Sequence, residues 1–233
     1  MDLKLKIKQI CLKLENLIFE NHSCIACGKE IPDGTKFSIC EKCFNKMKKI
    51  DEDKMIKYYW LNEKEIAFNK SIAFYVYDEI VSSIVKSFKY SSKKYYAKYI
   101  AMLMTENLDI FNDYDYLTFV PITSKRLKSR GYNQAEEIAK EISKITKIPV
   151  VELIRKTKET RNQAELSKED RINNLKDSFV IIDKENIIKD KKIIIIDDVF
   201  TTGTTMKRCS FEIKKLKPKE IFVMTFARTM VGK

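Results

Sequence analysis

Two adjacent carboxylates, Asp197 and Asp198, follow the apolar run Ile193-Ile194-Ile195-Ile196 and precede Thr201-Thr202-Gly203-Thr204-Thr205. A pair of carboxylates accepts hydrogen bonds from vicinal hydroxyls. Backbone amides and hydroxyls in a glycine-containing turn converge on an anion where the next helix begins. A phosphorylated ribose satisfies both halves. A plain strand-to-helix turn, in which Asp or Thr merely caps the helix, is the competing reading. Acids, glycine and threonines all in order favour the sugar-phosphate site.

A second constellation lies nearer the N-terminus, where Cys24-x2-Cys27 is followed by Cys40-x2-Cys43. Paired close spacings let each half grip one metal ion from a tight turn, and a set of thiolates alone completes a closed, structural Zn²⁺ site. Gly28 suits the first turn, and Pro32, Asp33 and Gly34 supply another between the halves. Two disulfides are the alternative, but the N-terminus has no signal-peptide core or cleavage site, which favours zinc and a cytoplasmic protein. His22 is the only histidine, so Ser/His/Asp and Cys/His nucleophilic machinery is excluded unless His22 reaches a distant site. Cys209 fits a helical apolar stripe with Met206, Ile213 and Leu216, and Cys11 is likewise read as packing.

These groups need a scaffold, and the isoleucine run reads as a central strand buried on both faces, as in a parallel sheet. Further strands are expected over Ile72–Tyr77, Leu117–Val120, Val150–Ile154, Phe179–Ile182 and Ile221–Phe226. Helices are expected through Glu20 from the N-terminus, around Ile80–Phe88, over Lys94–Leu108, and over Asn133–Thr146 with Ala135, Ile138, Ala139, Ile142 and Ile145 as its stripe. A basic loop follows Pro121. Residues 51–65 connect the knuckle to the main domain, with Trp60 as an anchor. The alternation of strand and helix predicts an α/β fold with an open, mostly parallel sheet and ligands at the strands' carboxyl ends. Two domains are expected: 1–65, an N-terminal helix and zinc knuckle, and 66–233, the sheet domain.

A chain of 233 residues with 44% hydrophobic residues can bury a substantial core, and no apolar run is long enough to cross a bilayer. The charge is +12, from 45 Lys and Arg against 33 Asp and Glu. The excess is clustered. Lys86, Lys89, Lys93, Lys94 and Lys98 are interleaved with Phe88, Tyr90, Tyr95, Tyr96 and Tyr99, with no acid among them. Phosphate-binding lysines with stacking rings suit a single nucleic-acid strand, for which Lys86, Lys89, Lys93, Lys94 and Tyr95 are the candidate contacts. For any one cluster a solvated helix face or a small-phosphate site is the better reading, and Tyr96 with Ile100 and Leu103 fits a core stripe; two further basic clusters, at Lys125–Arg130 and Lys207–Lys219, together favour a polyanionic partner.

The acid and threonine motif resembles that of the type I phosphoribosyltransferases, which bind 5-phosphoribosyl-1-pyrophosphate (PRPP). By that resemblance Asp197 and Asp198 contact the ribose hydroxyls, while Thr201, Thr202, Gly203, Thr204 and Thr205 enclose the 5′-phosphate. Further stretches extend the likeness: Val120-Pro121-Ile122 through Arg126, Arg130-Gly131-Tyr132-Asn133-Gln134-Ala135, Lys86-Ser87-Phe88-Lys89-Tyr90, and residues 155–174 with Thr160, Gln163, Leu166, Arg171 and Asn174. With the cysteine knuckle they resemble the ComF family, associated with uptake or handling of single-stranded DNA during natural transformation. The resemblance implies a phosphoribosyltransferase-like fold, PRPP as ligand and single-stranded DNA as partner. The knuckle is a candidate docking module for a DNA-uptake motor protein.

Transfer from PRPP passes through an oxocarbenium-like ribosyl cation as pyrophosphate leaves. Such a site needs cations and Mg²⁺ at the departing group. Arg126, Lys128 and Arg130 in the basic loop are candidates, Arg130 as a catalytic cation beside Asp197 and Asp198, with backbone amides near Gly131 assisting. Residues 155–171 are a candidate cover over PRPP. No acceptor site is recognisable. Binding without transfer, and a salvage or biosynthetic phosphoribosyltransferase using a small base or amine, both stay open.

Overall fold

The computed structural model describes residues 23–50, 67–90, 93–106, 108–157, 179–183 and 185–230. The expected N-terminal helix, Cys11, His22, Trp60, the connection over 51–65, the expected boundary at 65/66 and most of the candidate cover fall outside those residues.

The isoleucine run forms the middle of β5 (Lys192–Phe200), and it is buried on both sides. Strand alternation sends Ile194 and Ile196 into one hydrophobic cluster and Ile193 and Ile195 into another, all at 0% exposure. Burial on two faces explains why this strand reads as a continuous apolar run. The strands β1 (Lys70–Val76), β2 (Tyr116–Phe119) and β6 (Glu220–Arg228) join it in the order β1-β6-β5-β2. Every pairing in this sheet is parallel, with Ile196 opposite Phe119 on one side and Met224 on the other. A separate antiparallel pair is made by β3 (Ile154–Lys156) and β4 (Phe179–Ile181).

The expected strand at Val150–Ile154 is displaced toward its C-terminal end. Val150 forms only an isolated parallel bridge to Leu117, although Leu117 N–H donates to the Pro149 carbonyl and Val151 N–H to the Leu117 carbonyl. Pro149 has no N–H to extend that ladder.

One face of the sheet is covered by α2 (Glu79–Tyr90), α3 (Tyr96–Met104) and α5 (Gln134–Thr146), which bury Val81, Ile84, Phe88, Ile100, Ile138 and Ile142. The short helix α1 (Glu41–Phe44) of the cysteine knuckle adds Cys43 to this cluster, together with Cys24, Ile25 and Phe37. The knuckle thus packs on the sheet domain rather than standing apart from it. Ser83 Oγ donates to the Ala26 carbonyl, and Ile50 N–H pairs with the carbonyl of Phe74. The other face is covered by α6 (Thr204–Lys214), which buries Met206, Cys209 and Ile213 against Ile193, Ile195 and Val223.

The basic segment after Pro121 is helical over α4 (Ser124–Arg130), where the sequence pattern suggests a loop. Its signals are its caps. Thr123 Oγ1 accepts from Arg126 N–H, and Gly131 ends the helix with φ 81° in the left-handed region.

Candidate functional site

Parallel strands β2 and β5 end beside one another, and the loops beyond their carboxyl ends enclose a cavity of about 150 Å³. Asp197, Asp198, Thr201, Gly203 and Thr205 line it from the β5–α6 side; Val120, Ile122, Arg126, Arg130, Asn133 and Gln134 line it from the β2–α4–α5 side. Lys89 at the end of α2 and Lys156 at the end of β3 complete the wall. Two carboxylates therefore face four cationic side chains.

The Asp198 side chain is 9% exposed and its Oδ2 lies 2.7 Å from Lys89 Nζ. Asp197 Oδ1 accepts from the Asp198 N–H at 2.9 Å. Burial, then the adjacent Asp198 charge, push the Asp197 carboxyl up to about 7, against the pull of Lys89 and Lys156. Gly203 precedes α6 with φ 74°, and a Cβ there would stand 2.4 Å from the buried Phe200 ring. Glycine is thus required for its backbone conformation and for space. Thr202 and Thr204 hydroxyls lie 2.9 Å apart, outside the cavity lining.

The Arg130-Gly131-Tyr132-Asn133-Gln134 stretch builds the opposite wall. Asn133 Oδ1 caps α5 through Ala135 N–H, and its Nδ2 donates to the Val120 carbonyl, tying the helix start to the end of β2. Tyr132 donates its hydroxyl to the Phe88 carbonyl and packs its ring on Phe88, which fixes the end of α2 and so Lys89. Arg130 Nη1 donates to Gln134 Oε1 at 3.1 Å. Gln134 is 2% exposed, and its Nε2 makes no close hydrogen bond among the described residues. Gly131 N–H is taken by the Leu127 carbonyl, so that amide does not face a ligand as expected. Lys128 is exposed and off the cavity lining.

Of the lysine and tyrosine segment, Lys86 and Lys94 are exposed, and Lys94 Nζ lies 3.0 Å from Glu137. Lys93 Nζ is 3.2 Å from the Tyr96 hydroxyl. Tyr95 packs against the core and edge-on to Tyr96, whereas Tyr90 is 73% exposed under the Arg130 guanidinium, 5.5 Å from its ring centre. Lys89 belongs to the cavity, a position that its place in a basic run does not reveal. Lys156 was legible only as one cation in the candidate cover; its burial at 7% exposure is a tertiary fact.

The ligand atoms of Cys24, Cys27, Cys40 and Cys43 all lie within 4.8 Å of one another, with Cys27 Sγ 3.9 Å from Cys40 Sγ. A tetrahedron of metal–sulfur bonds has edges of ~3.8 Å, so the cluster fits a zinc-sized ion. Gly28, at φ 75°, donates its N–H to the Cys24 carbonyl and closes the first turn. Burial disfavours the Cys24 thiolate, but amide donors led by Cys40 outweigh it and bring the thiol down to about 7. Burial and the neighbouring sulfurs push Cys43 up. An ion shared by all the sulfurs would remove that conflict. Among the described residues no helix is long and apolar enough to cross a membrane.

Residues 117–233 match the phosphoribosyl transferase domain family. Competence protein F of Haemophilus influenzae is 27% identical over 226 residues, covering 91% of this chain and 92% of that protein. Competence protein ComFC of Bacillus subtilis is 23% identical, covering 87% of this chain and 77% of its own length. A purine phosphoribosyltransferase structure from Pyrococcus horikoshii Ot3 is 23% identical over 58% of this chain and 77% of that one, with a TM-score of 0.38. With half its length matched to one domain family and nearly all of it aligned to competence proteins, the chain belongs to the phosphoribosyltransferase family and, within it, to the ComF group.

Proposed function

We propose that this chain is a cytoplasmic protein of DNA uptake that binds PRPP, or another ribose 5-phosphate moiety, and handles single-stranded DNA during natural transformation. The observation that carries the ligand reading is the union, in one cavity, of the Asp197–Asp198 pair, Thr201, Gly203 and Thr205 of the following turn, and four cations. Carboxylates suit the ribose hydroxyls. The N-terminus of α6 suits the 5′-phosphate, and Arg126, Arg130, Lys89 and Lys156 suit the pyrophosphate. The names of the competence relatives support the biological role.

In this reading the exposed side of α2 and the start of α3 carry the DNA strand. Lys86, Lys93 and Lys94 meet phosphates, and Tyr90 offers a better-exposed ring to a base than Tyr95. Zinc fits the cysteine cluster as a structural ion that holds residues 24–43 against the sheet domain.

Titration calorimetry with PRPP tests the ligand reading. Wild type should bind, and Asp198→Asn should bind ~10–100-fold more weakly, the scale of losing a charge-assisted hydrogen bond. Equal binding by both would move the site elsewhere. Release of pyrophosphate from PRPP on adding a free base or amine would instead mark a salvage or biosynthetic transferase.

A further inference from the structure

Phosphoribosyltransferases ordinarily take PRPP with Mg²⁺, and the residues that would face such an ion here are Asp197 and Asp198. They fit it poorly. Asp198 already holds an ammonium group at 2.7 Å, in a pair whose side chains are only 22% and 9% exposed. We propose that Lys89 is a built-in counter-ion that takes the place of Mg²⁺ at Asp198, so that this site binds PRPP without a divalent cation. The proposal rests on reading the cradle as a PRPP site.

Several independent features hold Lys89 in this role. Phe88, the residue before it, is buried at 0% exposure, and its carbonyl accepts from the Tyr132 hydroxyl. The helix end is therefore anchored from two sides one residue before Lys89. An ammonium group has three donors, and the bond to Asp198 uses one, leaving donors for ligand oxygens.

The rest of the wall is also built for phosphate groups, which accept hydrogen bonds. Gln134 is buried and its Oε1 accepts from Arg130, which makes Nε2 the donor end of the amide; that donor lies near the Tyr132 hydroxyl but makes no close hydrogen bond among the described residues. Arg126, Arg130 and Lys156 bring the lining to four cations against two carboxylates. That net positive charge is what a polyphosphate needs when no metal accompanies it.

The test is calorimetry with sodium PRPP in buffer freed of divalent cations by a chelating resin, compared with the same buffer plus Mg²⁺. Soluble chelators are avoided because they would attack the knuckle. Wild type should bind in both buffers with affinities within about threefold. Lys89→Met, which leaves Asp198 unpaired, should bind ~10-fold or more weakly without Mg²⁺ and recover with it, whereas Lys89→Arg should stay independent of the metal.

Wild-type binding that appears only with Mg²⁺ would overturn the proposal and leave the PRPP reading intact. Metal-independent binding by Lys89→Met would also overturn it. Absence of binding in either buffer would defeat the PRPP reading itself. The wild-type comparison stands even if the methionine variant does not fold.

Discussion

In the cysteine knuckle, sulfurs from residues 24–43 meet within 4.8 Å, brought there by two tight turns. In the cradle, Lys89, Arg126 and the Asp198–Gly203 run arrive from separate stretches of chain and meet only because the parallel sheet stacks the ends of β2 and β5. The first geometry is local and suits a metal ion. The second is topological and depends on a packed core. Damage to the first should therefore unfold a segment, whereas damage to the second should leave the fold and remove a ligand.

The largest effect is expected at the knuckle. Metal analysis should find about one zinc per wild-type chain and none in Cys27→Ser or Cys40→Ser, whose residues 24–43 should unfold because the free energy of binding a structural zinc is folding free energy. PRPP affinity should change by less than about threefold, since no cavity-lining residue belongs to the knuckle. Loss of PRPP binding in these variants would break the contrast. It would show that Cys24, Ile25 and Phe37, which share a cluster with α2 and α3, transmit the damage through the core.

The contrast is sharpened next at Gly203. Replacement by Ala forces a side chain into a left-handed conformation and against the Phe200 ring, so a cost of ~1–3 kcal/mol in denaturant unfolding is expected. Together with that cost, PRPP binding should weaken as the start of α6 shifts. A variant that keeps wild-type stability and affinity would mean that the turn relaxes freely and is not a rigid cradle.

The same contrast explains what the sequence could reveal. Cys24-x2-Cys27 and the isoleucine–acid–threonine run are contiguous, so their chemistry and the strand beneath them were readable from residue order. The cap at Thr123 and Gly131 is readable too, but a dense run of Lys and Arg masks it, so residue order suggests a loop where the chain is helical. Lys89 was beyond reach for a different reason. Its neighbours Lys86 and Lys94 are exposed, and only the packing of α2 and the Tyr132 clamp turn Lys89 inward to Asp198. Gln134 likewise looks like an ordinary first residue of a helix until its burial beside Arg130 is known.

A smaller effect, with a definite sign, is expected from Asp197. Its carboxyl is raised from an ordinary 3.8 to about 7 by burial and by Asp198, so the folded chain holds a proton that the unfolded chain releases. The stability tied to that proton is fully present below pH ~4 and is lost as pH rises through ~7. Asp197→Asn removes the group and its loss. Relative to wild type, the variant should gain stability between pH 6 and pH 8, by about 1 kcal/mol or ~2–4 °C in melting temperature for a chain of this size. It should bind PRPP more weakly throughout. A stability difference that stays flat with pH would mean that Asp197 is ionised at neutral pH and that the lysines dominate its surroundings.

The smallest expected effect separates the proposed DNA surface from the cradle, which share one helix. Lys86 is exposed on α2 while Lys89, one turn further, is turned into the cavity. If Lys86 and Lys94 each neutralise a phosphate, affinity for an oligothymidine strand should fall log-linearly with salt. The double replacement by Ala should then reduce the slope by roughly 1.4, at about 0.7 per phosphate. Lys94 also faces Glu137, so its share of that change should be the lesser one. Tyr90→Ala should weaken binding by ~1–3 kcal/mol with the slope unchanged, because stacking releases no counter-ions. Lys89→Met should leave the slope untouched. A slope that drops with Lys89→Met but not with Lys86→Ala would place the strand inside the cradle, and the two regions of α2 would then serve one ligand.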